Sequence, residues 1–406
     1  MAKHKQSSID LQRRRLVSSL AVAPVLGLFS SLPGLSFAAV DGGEKRFVLV
    51  ILRGAMDGLA AVAPYGDSEL AALRGSLLTP DSELLKLDSF FGLHPAFENL
   101  HEMYQSSQAV ICHAVASPYR ERSHFDGQNV LEIGLEQADQ SESGWLNRCV
   151  PLLGKAGENN GSSPAMAIGQ AVPDVLQGES EVASWAPAIM PEPSVSTMQR
   201  LQQLYAQDAF LGVRLEQALM ANQLAGRNEM MANRRQGQSF GVLVDAAAAF
   251  LADASGPSIA VLESNGWDTH ANQGASQGQL VGKFRELDRG LARLKSGLEE
   301  TWNNTAVLVV TEFGRTVAVN GTQGTDHGTA GVALLLGGSV KGGSIHGQWP
   351  GLASANLYQG RDLAPTTDMR SLFKTVLRDH LQLPQTNIES ELFPNSADAA
   401  FIANLV

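Results

Sequence analysis

The chain contains five continuous apolar runs that are bounded by glycine or by polar residues. They span residues 47–52, 109–115, 258–262, 306–310 and 332–336. Because the apolar character of each run is continuous rather than alternating, a strand formed from it must be covered on both sides. The runs therefore predict an α/β fold with a large, mostly parallel central sheet and helices on both of its faces.

The segment between the third and fourth runs has the periodicity of an amphipathic helix. Its apolar positions recur every three or four residues, at Leu280, Phe284, Leu287, Leu291, Leu294 and Leu298. A strand, a long helix and a second strand form a βαβ crossover, so the third and fourth strands should be parallel. Residues 192–254 are rich in Gln, Ala, Met and Leu and predict a helical segment. We interpret residues 46–400 as one α/β domain that contains this segment.

The first 38 residues predict an export signal. Arg13, Arg14 and Arg15 precede an uncharged, mildly apolar stretch that ends in the small-residue cleavage site Ser36-Phe37-Ala38. Arginines in this position are typical of signals that the twin-arginine translocation machinery recognises. Prolines and glycines within the stretch disfavour a membrane anchor. The sequence therefore predicts a periplasmic or secreted protein with no stable transmembrane span.

The charge balance narrows the classes of ligand. The chain carries a net charge of −11, and its first 38 residues carry +4, which leaves −15 on the remainder. Such a surface argues against nucleic-acid binding, which needs a basic footprint. A small anionic substrate is still compatible with it, because a bound metal ion can reverse the local field. In an exported chain, Cys112 and Cys149 could pair or stay as buried free thiols, and the sequence leaves both open.

Polar residues cluster at the ends of the predicted strands, where ligands bind in doubly wound sheets. The candidates, in chain order, are Asp57, Arg122, Ser123, His124, Asp268, His270, Glu312, Arg315, Asp326 and His327. Each has an ordinary explanation as a turn residue, a helix cap or a loop ion pair. Their joint placement nevertheless predicts one site at the carboxyl edge of the sheet.

The residue types at these ends favour metal-assisted chemistry on an anionic ester. Carboxylates and imidazoles bind divalent metals, and Asp268 and His270 share one direction in an extended segment. Ser123, at the start of a helix and beside cations, suits nucleophilic attack. Arg122 and Arg315 suit the binding of phosphate or sulfate oxygens.

An ordered set of longer motifs resembles one known family. The motifs are ILRGAMDGLAAVAP, PYRERSHFDGQNVLEIG, GWLNR, NGWDTHANQ, VVTEFGRTVAVNGTQGTDHGTA and LLLGGSVKGG. Together they resemble the exported bacterial family known as domain of unknown function 1501, over about residues 46–400. That family is similar in turn to the alkaline phosphatase and sulfatase superfamily. Its members are α/β sandwiches that hydrolyse phosphate or sulfate esters with one or two bound metal ions.

The wider resemblance implies roles for individual residues. It implies that Asp57 is a metal ligand after the first strand and that Ser123 is the nucleophile. It further implies that Asp268, His270 and His327 bind a metal together. Asp326, which precedes His327, joins the candidate ligands.

Two departures from the superfamily pattern leave the catalytic apparatus open. Asp268 and His270 are two residues apart, whereas the usual spacing is four. Glu312 and Phe313 stand where the superfamily has Asp and His, and phenylalanine cannot bind a metal. His124 is the candidate replacement for the missing imidazole. The second metal site would keep Asp57, Ser123 and Glu312 as its ligands, and a site made only of oxygens would favour Mg²⁺, Mn²⁺ or Ca²⁺ over Zn²⁺.

These observations predict an exported, metal-dependent hydrolase of phosphate or sulfate esters, with a small anionic ester or a sulfated or phosphorylated glycan as substrate. The expected cofactor is a divalent metal, with Zn²⁺, Mg²⁺, Mn²⁺ and Ca²⁺ all compatible. One alternative is a catalytically degenerate envelope or secreted binding protein on the same fold. Another is a polysaccharide sulfatase, although the residues after Ser123 do not match the motif that is converted to formylglycine.

Overall fold

The computed structural model describes residues 45–153, 163–187, 195–205, 208, 211–216, 218–219 and 239–406. The predicted export signal, residues 1–38, lies outside the described residues, as does much of the predicted helical segment 192–254. The described part of that segment is mostly helical, with helices at Val195–Tyr205 and Phe240–Ala252.

The strands form one large sheet and one small sheet. In chain order they are β1 Arg46–Arg53, β2 Val62–Ala63, β3 Leu85–Lys86, β4 Gly92–Leu93, β5 Ala109–Ala116, β6 Ala165–Ile168, β7 Ala183–Trp185, β8 Ile259–Asn265, β9 Thr305–Thr311, β10 Gly331–Leu336, β11 Ser344–His346 and β12 Thr367–Asp368. The large sheet has the order β11-β5-β10-β9-β1-β8-β6-β7, and β12 pairs with β5. The small sheet has the order β2-β4-β3.

Strand direction follows the prediction in the centre of the large sheet. β8 and β9, which flank β1, are both parallel to it. This confirms the parallel βαβ crossover. β10 is antiparallel to both of its neighbours, β9 and β5. Because β10 runs in reverse, the residues that precede it lie at the same edge of the sheet as the residues that follow β1, β5, β8 and β9.

Helices cover the sheet on both faces. In chain order they are α1 Gly58–Ala61, α2 Leu70–Arg74, α3 Glu98–Gln105, α4 His124–Ile133, α5 Trp145–Cys149, α6 Val195–Tyr205, α7 Phe240–Ala252, α8 Gln279–Leu298, α9 Met369–Thr375 and α10 Gln385–Asn387. Short 3₁₀ turns occupy Gly75–Leu77, Val150–Leu152, Asp174–Leu176, Glu299–Asn304 and Ser354–Asn356, and π turns occupy Val376–His380 and Ile388–Leu392.

The alternation of side chains along β1 shows why two helical layers are needed. Val48, Val50 and Leu52 pack in one apolar cluster with α3, α7 and α8. Phe47, Leu49 and Ile51 pack in a second cluster with α5 and α9 on the other face. All of these side chains are buried, and each contributes about 2 kcal/mol relative to an exposed position. The predicted α/β fold class is confirmed.

Two further properties concern the length of the helices and the state of the cysteines. None of the described helices has the length and apolarity that a membrane crossing requires. Cys112 in β5 and Cys149 in α5 are buried free thiols, which answers the question that the sequence left open. Burial raises the pKa of the Cys112 thiol to about 12, so it is an unreactive core side chain.

Candidate metal centre

Three connections meet at the carboxyl edge of the large sheet. One follows β5 and begins α4, one follows β8, and the third joins β9 to the reversed strand β10. The end of β1 packs directly against them. A Cβ atom at Gly54, which has a φ of +117°, would lie 2.6 Å from the backbone nitrogen of Asp268. Only glycine allows this approach, which places the β1 end against the β8 connection.

Three histidines and one aspartate converge at this edge. The Nε2 atoms of His270 and His327 are 3.0 Å apart. Asp268 Oδ1 lies 3.0 Å from His270 Nε2 and 3.4 Å from His327 Nε2. Asp268 Oδ2 lies 3.5 Å from His124 Nε2. Ligand atoms of His124, Asp268 and His327 all lie within 4.8 Å of one another, close enough to share one ion.

The other nitrogen of each ring is already bonded. His124 Nδ1 is 2.7 Å from Glu312 Oε1, and His270 Nδ1 is 3.1 Å from Asp326 Oδ1. His327 Nδ1 is 2.9 Å from the carbonyl oxygen of Arg122. Since carbonyl oxygens and ionised carboxylates only accept, Nδ1 is the protonated nitrogen in each ring. In each neutral ring Nε2 then carries the lone pair, as in histidines bound to metals. The Nε2 atoms of His124 and His327 lie close enough to share one ion with Asp268, and His270 Nε2 lies beside His327 Nε2.

One buried nitrogen at this point lacks a hydrogen bond within the described part of the chain, although Asp268 Oδ2 lies 3.5 Å from it. His124 Nε2 is shielded from solvent, and none of the described residues forms a hydrogen bond with it. A buried nitrogen lone pair without a partner carries a desolvation cost that a bound cation would remove. The residues present therefore fit a divalent metal.

Glu312 orients His124. Its buried carboxylate accepts hydrogen bonds from His124, from Gln128 Nε2 at 3.1 Å and from the Gly54 N–H at 2.9 Å. Burial opposes ionisation, but these hydrogen bonds outweigh it and hold the pKa of Glu312 below its ordinary value. Phe313 stacks on the His124 ring with centroids 5.0 Å apart. Glu312 and Phe313 thus hold the ring of His124 in place.

We expect Glu312→Gln to weaken zinc binding by about 10- to 100-fold. The glutamine amide is neutral, so its oxygen accepts the Nδ1 proton of His124 more weakly than the carboxylate does. Its NH₂ group can also take the place of that oxygen, and it cannot accept the proton. Calorimetric titration of the metal-free protein with zinc measures the change, and circular dichroism checks that the variant is folded. Asp326→Asn is the matched comparison, with a smaller expected effect because Asp326 is exposed. Unchanged affinity in folded Glu312→Gln would contradict the orienting role.

Arg315 fixes the aspartate. Its buried guanidinium donates to Asp268 Oδ1 at 2.6 Å, to the Thr325 hydroxyl at 3.1 Å and to the Thr325 carbonyl. Burial tends to raise the pKa of Asp268, but the bond from Arg315 and its charge hold that pKa below the ordinary value. Asp268 is therefore a preoriented carboxylate. Its side chain and that of His270 are 40% and 44% exposed, so solvent and substrate can reach the site.

Asp57 lies in a separate cluster. Its Oδ1 accepts from the N–H groups of Leu59 and Ala60 at the start of α1 and from Arg74 Nη2 at 2.9 Å. Its Oδ2 accepts from Gln273 Nε2 at 2.7 Å and from Arg74 Nη1. Although burial acts in the opposite direction, the charge of Arg74 leads the interactions that hold the pKa of Asp57 below its ordinary value. The carboxylate is ionised, buried and saturated with protein donors, so we do not place a metal on it.

Arg122 and Ser123 directly precede His124 in the chain. Ser123 is the N-cap residue of α4 and its side chain makes no capping hydrogen bond, which leaves its hydroxyl available for other partners. Arg122 has a φ of +63°, and its Nε donates to Asp362 Oδ2 at 2.8 Å. The structure thus places Ser123 beside His124 and directs the Arg122 guanidinium to a carboxylate.

Several supporting residues were not among the candidates from the sequence. Arg74 neutralises Asp57, and Asp362 neutralises Arg122. Gln273 links Asp57 to Thr325 through its Oε1, which accepts from the Thr325 hydroxyl at 2.7 Å. Gln273 and Gln128 lie inside motifs that the family resemblance had identified. Arg74 and Asp362 lie outside those motifs, and no pattern in the sequence distinguishes them.

Comparisons with known proteins place this site in context. The family model described as "Protein of unknown function (DUF1501)" matches residues 44–392. No curated protein matches the chain. Among solved structures, the phosphonate monoester hydrolase of Agrobacterium radiobacter is 12% identical, with 84% of this chain and 74% of that chain covered and a TM-score of 0.38.

Two further solved structures show a comparable degree of similarity. The phosphonate monoester hydrolase from Silicibacter pomeroyi is 13% identical, with coverage of 88% and 76% and a TM-score of 0.39. The C-terminal periplasmic domain of EptC from Escherichia coli, a complex with Zn, is 13% identical, with coverage of 90% and 91% and a TM-score of 0.35.

Proposed function

The chain belongs to the DUF1501 family, and we propose that it is an exported, metal-dependent hydrolase of phosphate or sulfate esters. One observation carries the proposal. His124, Asp268 and His327 place ligand atoms within 4.8 Å of one another at a solvent-accessible sheet edge, and His270 Nε2 contacts His327 Nε2 and Asp268 Oδ1. Such an arrangement has little structural use without a cation, because it brings nitrogen lone pairs into contact.

The residue types of the proposed ligand set favour zinc. His124, His270, His327 and Asp268 offer three imidazoles and one carboxylate, which suits Zn²⁺ better than Mg²⁺ or Ca²⁺. We therefore propose zinc in a single site and leave Asp57 out of the ligand set. A divalent metal in this position would supply Lewis acidity, lowering the pKa of an attacking hydroxyl and offsetting charge on the ester oxygens.

The protein residues supply position and orientation. We propose that Ser123 Oγ attacks phosphorus or sulfur as the bond to the alcohol oxygen breaks. The hydroxyl proton passes through solvent to the departing alcohol. Water then cleaves the seryl ester, so that phosphate or sulfate leaves and the Ser123 hydroxyl is restored. Arg315 acts through Asp268, whose carboxylate it keeps in place.

The proposed location follows from the N-terminal residues. The arginine triplet and small-residue cleavage site support export through the twin-arginine machinery to the periplasm or beyond. A strongly acidic mature chain would repel anionic substrates at long range. The local field of the metal centre is then what draws an ester in.

The protein is expected to bind one zinc ion per chain and to lose this binding in His327→Ala. The imidazole of His327 contacts both His270 and Asp268, so its removal deletes the central ligand. Elemental analysis after zinc loading measures stoichiometry, and a panel of aryl phosphate, phosphonate and sulfate esters measures activity. His101→Ala in α3 is the matched control, because His101 lies outside the metal centre.

The same experiment separates the alternatives. Zinc binding with activity that survives Ser123→Ala would assign the attack to water rather than to Ser123. Zinc binding without turnover of any ester would favour the envelope binding protein. Absence of zinc binding would overturn the metal site and with it the hydrolase.

A further inference from the structure

The three arginines beside the metal centre, Arg122, Arg315 and Arg361, are paired with carboxylates. Arg315 is buried and donates to Asp268 and Thr325. We therefore do not assign it to substrate oxygens. The arginine that sequence reasoning assigned to phosphate or sulfate oxygens acts on a protein carboxylate instead.

Arg122 and Arg361 share one buried aspartate. Arg122 Nε donates to Asp362 Oδ2 at 2.8 Å, and Arg361 Nε donates to Asp362 Oδ1 at 2.8 Å. Arg361 Nη2 also donates to the carbonyl oxygen of His327 at 2.6 Å, which places this group of charges directly beside a ligand histidine. Asp362 further accepts from the Thr329 hydroxyl, so its position is fixed from several sides.

Other cations at this edge also have protein partners. Arg53 pairs with Glu132 and Glu263, Arg74 with Asp57, and Lys283 with Glu286, whereas Arg120 donates to the carbonyl oxygens of Ser117 and Tyr119. Around the metal centre itself, the carboxylates are Asp268, Glu312, Asp326 and Asp362, and the guanidiniums are Arg122, Arg315 and Arg361. With neutral imidazoles these groups sum to −1, and a divalent ion brings the sum to +1.

We propose that this site selects monoanionic esters over dianionic ones. The chemical class comprises sulfate monoesters, phosphate diesters and phosphonate monoesters, and it excludes phosphate monoesters in their dianionic form. The inference rests on the proposed metal site and names the substrate class within the proposed function.

The physical reason lies in how two energies scale with charge. Attraction to a site of charge +1 grows in proportion to the charge of the ligand, whereas the cost of removing an ion from water grows with its square. A monoanion neutralises the site. A dianion leaves a net negative charge among Glu312, Asp326 and Asp362, and no uncommitted guanidinium of the described site residues can compensate it.

Two isosteric, non-hydrolysable anions test the proposal by binding alone. Benzenesulfonate is a monoanion, and phenylphosphonate is a dianion above its second pKa. Calorimetry on the zinc-loaded protein at such a pH should show benzenesulfonate bound at least about tenfold more tightly. The zinc-free protein is the control and should lose the binding of both anions.

A charge-changing variant sharpens the test. Asp362→Asn releases the positive charge of Arg122 and Arg361 beside His327, so the preference for benzenesulfonate should shrink by about tenfold or reverse. Asp379→Asn is the matched control, since Asp379 pairs with Arg378 in the turn Val376–His380. This turn contacts the start of β1, at the opposite edge of the sheet, through His380 and the Arg46 carbonyl. The control should leave the ratio unchanged.

The results that would overturn the monoanion preference differ from those that would overturn the proposed hydrolase activity. Equal or tighter binding of phenylphosphonate by zinc-loaded wild-type protein would overturn the monoanion preference and leave the metal site and hydrolysis in place. Absence of zinc binding would overturn both. The wild-type comparison decides the question even if Asp362→Asn does not fold.

Discussion

Replacement of Arg74 by methionine should lower the free energy of unfolding by about 3–5 kcal/mol. Asp57 and Arg74 have side chains that are 1% and 2% exposed, and two hydrogen bonds join them. Methionine fills a similar volume but leaves the Asp57 carboxylate as an uncompensated buried charge. Urea unfolding at neutral pH measures the loss. The same change in a more exposed ion pair, Arg378→Met, should cost at most about 1 kcal/mol.

The double variant Asp57→Asn/Arg74→Met separates the cost of the buried Asp57 charge from the other effects of removing Arg74. Asparagine keeps an oxygen that caps α1 but loses the oxygen that accepts from Gln273 Nε2. Because the buried charge is removed, the double variant should still be more stable than Arg74→Met alone by about 1–2 kcal/mol. Zinc stoichiometry in Arg74→Met adds a second readout. Uptake of a second zinc ion per chain by folded Arg74→Met would show that Asp57 can bind a metal when the Arg74 guanidinium is absent. That result would contradict our exclusion of Asp57 from the metal ligands.

Acid should destabilise the fold through two core histidines. Burial lowers the pKa of His113 and of His380 from 6.5 to about 4 in each case. The unfolded chain therefore binds more protons than the folded chain between pH 4 and 6.5, so stability is retained above this window and falls as the pH decreases through it. Each histidine accounts for about 3 kcal/mol across the window.

Unfolding in urea at several pH values within and above this window measures the effect. His113 Nε2 lies 3.0 Å from the Val62 carbonyl and its Nδ1 accepts from the Ala114 N–H, roles that a glutamine can also perform. His113→Gln should therefore remove about 3 kcal/mol of the change in stability across this window, and His380→Gln should do the same. His101→Gln is the control. A pH dependence that is unchanged in both variants would assign acid sensitivity to other groups.

The central strands could be predicted from the sequence because strands buried on both faces consist of continuous apolar runs. Residues 47–52 predicted a strand covered on both faces, and β1 has strand neighbours on both sides and helices on both faces. β6 and β7 were missed, because runs of four and three residues carry no periodicity that separates them from loops. The reversal of β10 was also missed, since strand direction depends on the connection rather than on the strand.

The site was predicted in outline, and its internal pairing was not. Placement at strand ends brought Asp268, His270 and His327 into one prediction, and the structure holds them within contact of one another. The spacing in the sequence could not show that Arg74 reaches Asp57, or that Glu312 orients His124. Such pairs depend on the three-dimensional geometry of side chains from elements far apart in the chain. A single sequence contains no pattern that reveals them.

The reversed strand β10 also determines how the site is distributed over the chain. The connection from β9 to β10, residues 312–330, leaves and returns at one edge, between neighbouring strands. It contributes Glu312, Arg315, Asp326 and His327, and it also packs Val317 and Ala330 into an apolar cluster. Only residues 318–323 and 326–327 of this connection lie near the surface, whereas residues 312–317 are buried. The side chains of the site are therefore built into the packed end of the sheet, so a substitution in this connection changes the site and the packing of the sheet together.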